Sequence, residues 1–483
     1  MAQQTLFFYD LETSGVNPRS SRIMQFAGQR TTLDLEPIGE PVNILVKLTP
    51  DIVPEPDAVL ITGITPQQTL QDGVTEAEFL KIFFEEVAVP NTIFAGFNTI
   101  RFDDEFMRFT LYRNFYDAYE WQWKNGCSRW DLLDVVRMTR ALRPEGIKWP
   151  FDTNGKPTNR LELLTELNGL DHMNAHDALS DVYATIAVAK LLKTKQPKLF
   201  DYLLSIRGKK EVQKLVLSGQ PFVYTSGKYP GEFEKTTVVT TLAEHPKRAG
   251  ALVYDLRHDP TLYKNLSAEK LVDLWKYKRD ATEPRLPIKT LRANCSPAIA
   301  PLGVLDTASQ KRLQIDLKLI QKHATTLKSI PDFITKVLRA LEMMDEQQQA
   351  SLMANEHTVD EQLYDGFIGD KDKTLESTLR AARPDEFAQI AEGFADERLK
   401  ALTPLYKARN FPQALSDEEQ VEWEKFRVRA LLGGGPASRL AKYFTRLGEL
   451  ANDPRLSDDK RYLLEELQLY GQSIMPVDDT VVA

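Results

Sequence analysis

Only two cysteines, Cys127 and Cys295, occur in 483 residues, which excludes a disulfide framework and a cysteine-rich zinc site. No apolar run approaches the roughly 18 residues that cross a bilayer, so no helical span and no membrane partner is expected. The first residues lack the basic and apolar stretches of a secretory signal, and the expected location is the cytoplasm. An excess of cations is missing too. The formal net charge of -8 argues against affinity of the whole surface for polyanions, but it leaves room for a local basic groove. What the chain has is bulk: with 42% hydrophobic and 27% charged residues it is globular and too long for one core, so two or three domains are expected.

The run Thr5-Leu6-Phe7-Phe8-Tyr9 reads as a buried strand, ended by Ser14-Gly15 and Pro18. Arg22 to Thr32, Pro41 to Leu48 and Thr92 to Phe97 are further strand candidates, and a helical pattern starts near Asp103. A long helix is predicted over Ala175 to Lys195, with Val182, Ile186, Ala189 and Leu192 on one face. Mixed strands and helices of this kind give an α/β domain over 1–198. Beyond it the strand candidates are short: Phe222 to Ser226, Thr236 to Ala243, Gly250 to Asp255 and Leu286 to Cys295. A helix capped by Ser267 interrupts them, and a small barrel over 199–345 is expected. Long helical stretches then dominate 346–475, among them Ser416 to Leu432, Pro436 to Asn452 and Ser457 to Tyr470, before a loose tail at 476–483.

Asp10-Leu11-Glu12 follows the first strand directly. Strand residues two apart project to one side, so both carboxylates can converge on a point and suit a hard cation such as Mg²⁺. Taken alone, the tripeptide reads more readily as a polar turn after a strand. Asp103 stands at the junction of the fourth strand and the next helix, where α/β sheets place ligands, or it caps that helix. His176 and Asp181 bracket the entry of the long helix. Five residues fall on different azimuths, so the two share a site only if His176 reaches in from the loop, and Asp177 competes with Asp181 as the fourth acid.

The combination of Asp-x-Glu, Phe-Asp about ninety residues on, and His-x-x-x-x-Asp on a late helix resembles the histidine branch of the DEDD exonuclease superfamily. Longer stretches are similar to the bacterial exonuclease I family: Val59 to Pro66, Arg113 to Asp117, Arg129 to Val135, Ala141 to Ile147, Asn174 to Ala178, Asp181 to Ala187, Gln362 to Phe367 and Ala408 to Pro412. The resemblance implies an RNase H-like exonuclease domain, an SH3-like β-barrel and a C-terminal helical domain. It implies a monomeric 3′→5′ exodeoxyribonuclease that degrades single-stranded DNA to 5′-mononucleotides in DNA repair and recombination. Two Mg²⁺ ions about 4 Å apart, with Mn²⁺ as a substitute, would be held by Asp10, Glu12, Asp103 and Asp181, and His176 would act as general base. An exoribonuclease or proofreading exonuclease is the rival within the superfamily. An inactive module tethered to DNA is the rival outside it.

By the same resemblance, Glu12, Leu11, Thr13 and Arg160 would contact the terminal nucleotide, with Leu11 wedged against its base, although Arg160 reads equally as half of a surface ion pair. The segment after Asp103 is rich in aromatics, the residues that grip single strands by stacking. Tyr119 and Trp123 would lie one turn apart there, and Arg108 and Arg137 would follow the phosphates. Lys289, Arg292 and Asn294 would line the far wall of the channel. Arg143 and Tyr202 match a pocket for the acidic C-terminal tail of single-stranded-DNA-binding protein, with Asp306 standing where a basic residue is expected.

Overall fold

The computed structural model describes residues 3–170, 177–276, 283–354 and 357–476. Its first sheet has the order β3-β2-β1-β4-β5, built from β1 (Thr5–Thr13), β2 (Ile23–Thr31), β3 (Val42–Leu45), β4 (Thr92–Gly96) and β5 (Ser128–Asp131). β1 pairs antiparallel with β2 and parallel with β4, and β4 with β5 is again parallel. A central strand covered on both faces must be apolar at every position, which is why residues 5–9 show no alternation. Leu6 and Phe8 enter one cluster with Trp130 and Val182, whereas Phe7, Tyr9 and Leu11 enter another with Phe26, Phe94 and Trp121.

The helices of this unit that bear on the site are α1 (Asp103–Arg113), α2 (Leu132–Leu142), α3 (Leu161–Asn168) and α4 (Ala178–Lys195). α4 lies across β1 and β2. It starts at Ala178, capped by Asp177, whose carboxylate accepts the Ser180 N–H; residues 175 and 176 of the expected helix lie outside the described residues.

The second sheet has the order β10-β6-β7-β8-β9, with β6 (Phe222–Thr225), β7 (Thr236–Glu244), β8 (Gly250–Asp255), β9 (Ile288–Arg292) and β10 (Ala298–Pro301), all neighbours antiparallel. Alternation is strict. Phe222, Tyr224, Val239, Val253 and Leu291 form the sheet's own cluster. Val223, Val238, Leu252, Tyr254 and Ile288 belong instead to the large core that contains α2 and α4 residues. The second unit is therefore welded to the first through a shared apolar core. Within it α5 (Ala268–Trp275) is capped by the Ser267 hydroxyl, as the sequence predicts.

A 24-residue helix, α6 (Pro331–Ala354), runs straight through the division expected at 345/346, which therefore falls inside a continuous element. The helical unit that follows, with α7 (Asp370–Ala381), α8 (Glu397–Asn410), α9 (Asp417–Leu432), α10 (Arg439–Ala451) and α11 (Asp458–Ser473), embraces the first unit on two sides. Phe109, Tyr112 and Phe115 of the α1 region pack with Leu379, Phe387 and Tyr406, and Leu48, Ile52 and Val59 pack with Tyr443, Leu447 and Tyr470. Between these contacts lies a buried ionic network in which Arg409 binds Asp51 at 2.8 Å and Asp360 at 2.7 Å, with Arg22 on Asp360 at 3.1 Å. The tail at 477–483 lies outside the described residues.

Candidate active site

The pleat of β1 sends Asp10 and Glu12 to the side of Leu6 and Phe8, where α4 crosses the strand. α4 brings Asp181, one turn inside its N-terminus, to the same place. Asp10, Glu12 and Asp181 each present a ligand atom, and the three lie within 4.8 Å of one another. The competing acid Asp177 is occupied as the cap of α4 and takes a hydrogen bond from Gln25 Nε2 at 3.2 Å.

Asp103, 3% exposed at the start of α1, accepts the Leu11 N–H at 3.1 Å. It thus joins β1 from the side and stands next to, rather than inside, the three-oxygen group. Its neighbour Asp104 turns the other way. The Tyr9 hydroxyl donates to Asp104 at 2.5 Å, Arg129 of β5 pairs with it, and Arg129 then reaches the Asn294 carbonyl of the second unit at 2.6 Å.

Burial, reinforced by the charges of Asp103, Asp181 and Asp177, holds the Asp10 carboxyl well above the usual carboxylate range. The same causes, burial first and then Asp10 and Asp181, push Glu12 up to about 9. Burial dominates for Asp103 too, which is likewise raised. Like charges packed this closely resist ionising together unless a cation offsets them. All the donors are carboxylate oxygens, the ligand type of Mg²⁺, Mn²⁺ and Ca²⁺, and their spacing asks for only a small contraction to meet one ion. The residues present fit a divalent cation.

A cavity of ≈ 530 Å³ opens onto Asp10 and Asp181. Phe97 and Asn98 follow β4 on one side of it, and Arg137, Arg160 and Lys235 supply the cations of its wall. Arg137 donates to Asp134 Oδ1 at 2.7 Å, and its guanidinium lies over Gly227, where a Cβ would come within 3.0 Å of Nη1, so that glycine is what admits it. Arg160 is exposed and pairs with Glu162 at 2.9 Å while lining the same cavity. His176, the expected base, lies outside the described residues.

Several expected contacts are placed differently. Leu11 points away from the acids as predicted, but it is 4% exposed within the Tyr9–Phe26 cluster, so it cannot wedge against a base. Thr13 follows a β-bulge, is buried, and donates its hydroxyl to the Gly15 carbonyl at 2.8 Å. Tyr119 and Trp123 do not share an α-helical face. They flank one 3₁₀ turn, Glu120–Gln122, and Trp123 at φ -147° separates it from a second, Lys124–Gly126. Both remain open, at 38% and 62% exposure. Arg108 is mostly buried, paired with Glu105, bonded to Gln122 at 3.0 Å and seated 5.5 Å over the Tyr119 ring.

Lys289 and Arg292 are three apart on β9 and so take opposite faces. Lys289 sits 5.0 Å over the Tyr229 ring on the half-buried side, and Arg292 is exposed, as is Asn294 beyond the strand end. Burial, with Arg285 and Lys228 nearby, lowers Lys289 to about 8. Burial and then Arg292, Arg101, Arg285 and Arg248 lower Lys228, which reveals a basic cluster where this unit meets Arg101 of the first. Only Lys289 and Arg292 of it are legible in sequence. Arg143 is engaged with Asp306 at 3.2 Å, and Tyr202 is half-buried against the core.

Comparison with known proteins covers the whole chain. The family models for an exonuclease, an exonuclease I SH3-like domain and an exonuclease I C-terminal domain match residues 7–189, 207–342 and 357–474. Exodeoxyribonuclease I of Haemophilus influenzae is 41% identical over 478 residues, 98% of this chain and 99% of that protein. The solved exonuclease I of Methylocaldum szegediense is 44% identical, with TM-score 0.90 over 98% of this chain and 99% of its own. Escherichia coli exonuclease I in complex with a dA16 oligonucleotide is 37% identical, with TM-score 0.90 over 98% and 100%. Two other similar structures are a zinc-bound E. coli exonuclease I complex with single-stranded DNA and an SSB/exonuclease I structure.

Proposed function

The chain belongs to the exonuclease I family, and we propose that it releases 5′-mononucleotides from the 3′ end of single-stranded DNA at the cradle formed by Asp10, Glu12, Asp103 and Asp181. The observation that carries this reading is the convergence of Asp10, Glu12 and Asp181 from two distant elements within 4.8 Å. Mg²⁺ is the proposed ion, with Mn²⁺ as its substitute. A divalent pair held there supplies Lewis acidity at the phosphoryl oxygen and lowers the pKa of water.

The chain's own residues do the rest. Asp103, fixed by the Leu11 N–H, completes the acidic side of the cradle. Arg137 and Arg160, on the wall of the same cavity, hold the substrate's phosphates and face them toward the acids. His176 takes the proton of the attacking water, a role assigned by the family motif. Trp123 and Tyr119 stack on bases, and Lys289, Arg292 and Asn294 follow the strand outward. The proposed partner at Arg143 and Tyr202 is the tail of single-stranded-DNA-binding protein, as the SSB/exonuclease I structure supports. A monomer acting in cytoplasmic DNA repair and recombination fits this activity, and no described helix is long and apolar enough to cross a membrane.

The test is a 3′→5′ ladder from a 5′-labelled DNA oligonucleotide, with and without Mg²⁺, beside an RNA oligonucleotide of identical sequence. Metal-dependent mononucleotide release from DNA alone is expected. Equal degradation of the RNA, or no release from either strand, would overturn the assignment.

A further inference from the structure

We infer that Lys235, carried by the second sheet unit rather than by the exonuclease unit, binds a phosphate of the substrate inside the catalytic cavity. The inference rests on the nuclease reading above. Lys235 lines the same ≈ 530 Å³ cavity as Asp10 and Asp181, together with Arg137 and Arg160. It is half-buried, and among the described residues no acid pairs with it. A cation on the wall of a cavity that also holds Asp10 and Asp181, with no acid paired to it among the described residues, is suited to an anion that arrives between them.

Its placement is constrained from several directions. Lys235 ends the turn that joins β6 to β7, and Glu234 and Lys235 both adopt the left-handed region, at φ 48° and 57°. Two successive non-glycine residues there store strain, and such strain persists only where the surroundings over-determine it. Those surroundings are visible. The Lys235 N–H donates to the Pro230 carbonyl at 3.1 Å, and the Lys235 carbonyl accepts from the Ser226 N–H at 3.0 Å. Glu234 pairs with Arg140 of α2 at 2.9 Å. Arg140 also donates to the Pro150 and Thr158 carbonyls at 2.8 and 2.6 Å, and Thr158 is itself part of the cavity wall. One buried arginine thus ties the turn that bears Lys235 to the loop that leads to Arg160. At its other end the same turn receives Arg137 over Gly227.

The arrangement makes the second unit part of the reaction chamber. The three cavity cations divide the work by origin: Arg137 and Arg160 come from the exonuclease unit, and Lys235 comes from its neighbour. A substrate too short to leave the cavity should still feel Lys235, whereas a residue on the outer channel acts only on longer strands.

The experiment compares wild type, Lys235→Gln and Lys235→Arg on trithymidylate and on a 30-residue oligothymidine, with thermal melting as the folding control. Removing one charge-assisted contact is expected to lower kcat/KM by about 10–100-fold on both substrates, with Tm unchanged and Lys235→Arg largely restored. A loss confined to the 30-mer would move Lys235 to the outer channel, and no loss on either would dismiss it; each result overturns the inference. Binding of fluorescent trithymidylate in EDTA is measured in parallel. A wild type that cleaves nothing but binds the trimer more tightly than Lys235→Gln would sink the nuclease reading and leave this one standing.

Discussion

The Leu11 N–H donates to Asp103 Oδ1 at 3.1 Å across a separation of 92 residues, so the backbone between two of the acids is what orients a third. Asp103→Asn keeps that acceptor and removes the charge. The variant should melt at the temperature of wild type yet lose turnover by about 10²–10³-fold, the usual scale for an electrostatic group in a closed site. Asp103→Leu should lose both. An Asn variant with wild-type rates would show that Asp103 serves the fold alone.

How much of this was legible follows from the range of the forces involved. Asp10 and Glu12 are readable because strand alternation is local, and the cap Ser267 because capping is a single-residue signal. β5 hides in four residues, Ser-Arg-Trp-Asp, whose polar members take up Arg207, Asp104 and the Asn98 N–H, tertiary contacts no window can see. Alternation places Leu11 on the face away from the acids, as found, but it does not say what fills the space there. A helical pattern puts Tyr119 and Trp123 one turn apart, but both lie outside helical geometry, at φ -124° and -147°, and only a single 3₁₀ turn separates them. Lys235 gave no signal at all. A lysine after a turn is ordinary until the second unit docks on the first.

Metal removal gives a second expectation. Since burial and mutual repulsion raise Asp10 and Glu12, an ion that binds only the folded protein should stabilise it by mass action. Scanning calorimetry in EDTA and in Mg²⁺ should show a higher Tm with metal, and Asp10→Asn should erase most of the difference. Equal shifts in wild type and variant would place the ion elsewhere.

A pH prediction comes from Lys289, lowered to about 8 by burial and by Arg285 and Lys228. A lysine is charged below its pKa, and a bound phosphate favours the charged form, so the complex holds more protons than the free protein as pH rises through 8. Affinity for oligothymidine should therefore fall between pH 7 and 9. Lys289→Arg stays charged and should flatten that slope in fluorescence anisotropy titrations, and an unchanged slope would remove Lys289 from the channel.

Trp123 is 62% exposed, so its ring is not needed by the core. Trp123→Ala should leave the urea midpoint unchanged and weaken binding of a long oligothymidine by about 1–3 kcal/mol, the worth of one stacked base. Trp123→Phe should recover most of it. Arg409→Met is the opposite case: it takes the paired cation from buried Asp51 and leaves Asp360 with Arg22 alone, and it should cost about 3–5 kcal/mol in urea unfolding.

At Arg143 the positive charge is already neutralised within the protein. Arg143 pairs with Asp306 at 3.2 Å and also donates to the Val304 carbonyl at 2.8 Å. A peptide carboxylate approaching Arg143 must compete with Asp306, and the repulsion between the two acids adds to that cost. Deleting Asp306 outright would confuse the outcome, because its side chain also caps the helix Thr307–Arg312 through the Ser309 N–H at 2.7 Å. Asp306→Ser keeps a capping oxygen and removes the charge. An exposed pair of this kind is worth up to about 1 kcal/mol, so the variant should bind an acidic, phenylalanine-ended peptide up to about fivefold more tightly in calorimetry. Arg143→Gln should abolish that gain. If Asp306→Ser binds the peptide no better than wild type, the carboxylate does not seat at Arg143, and the proposed docking site moves away from this edge of α2.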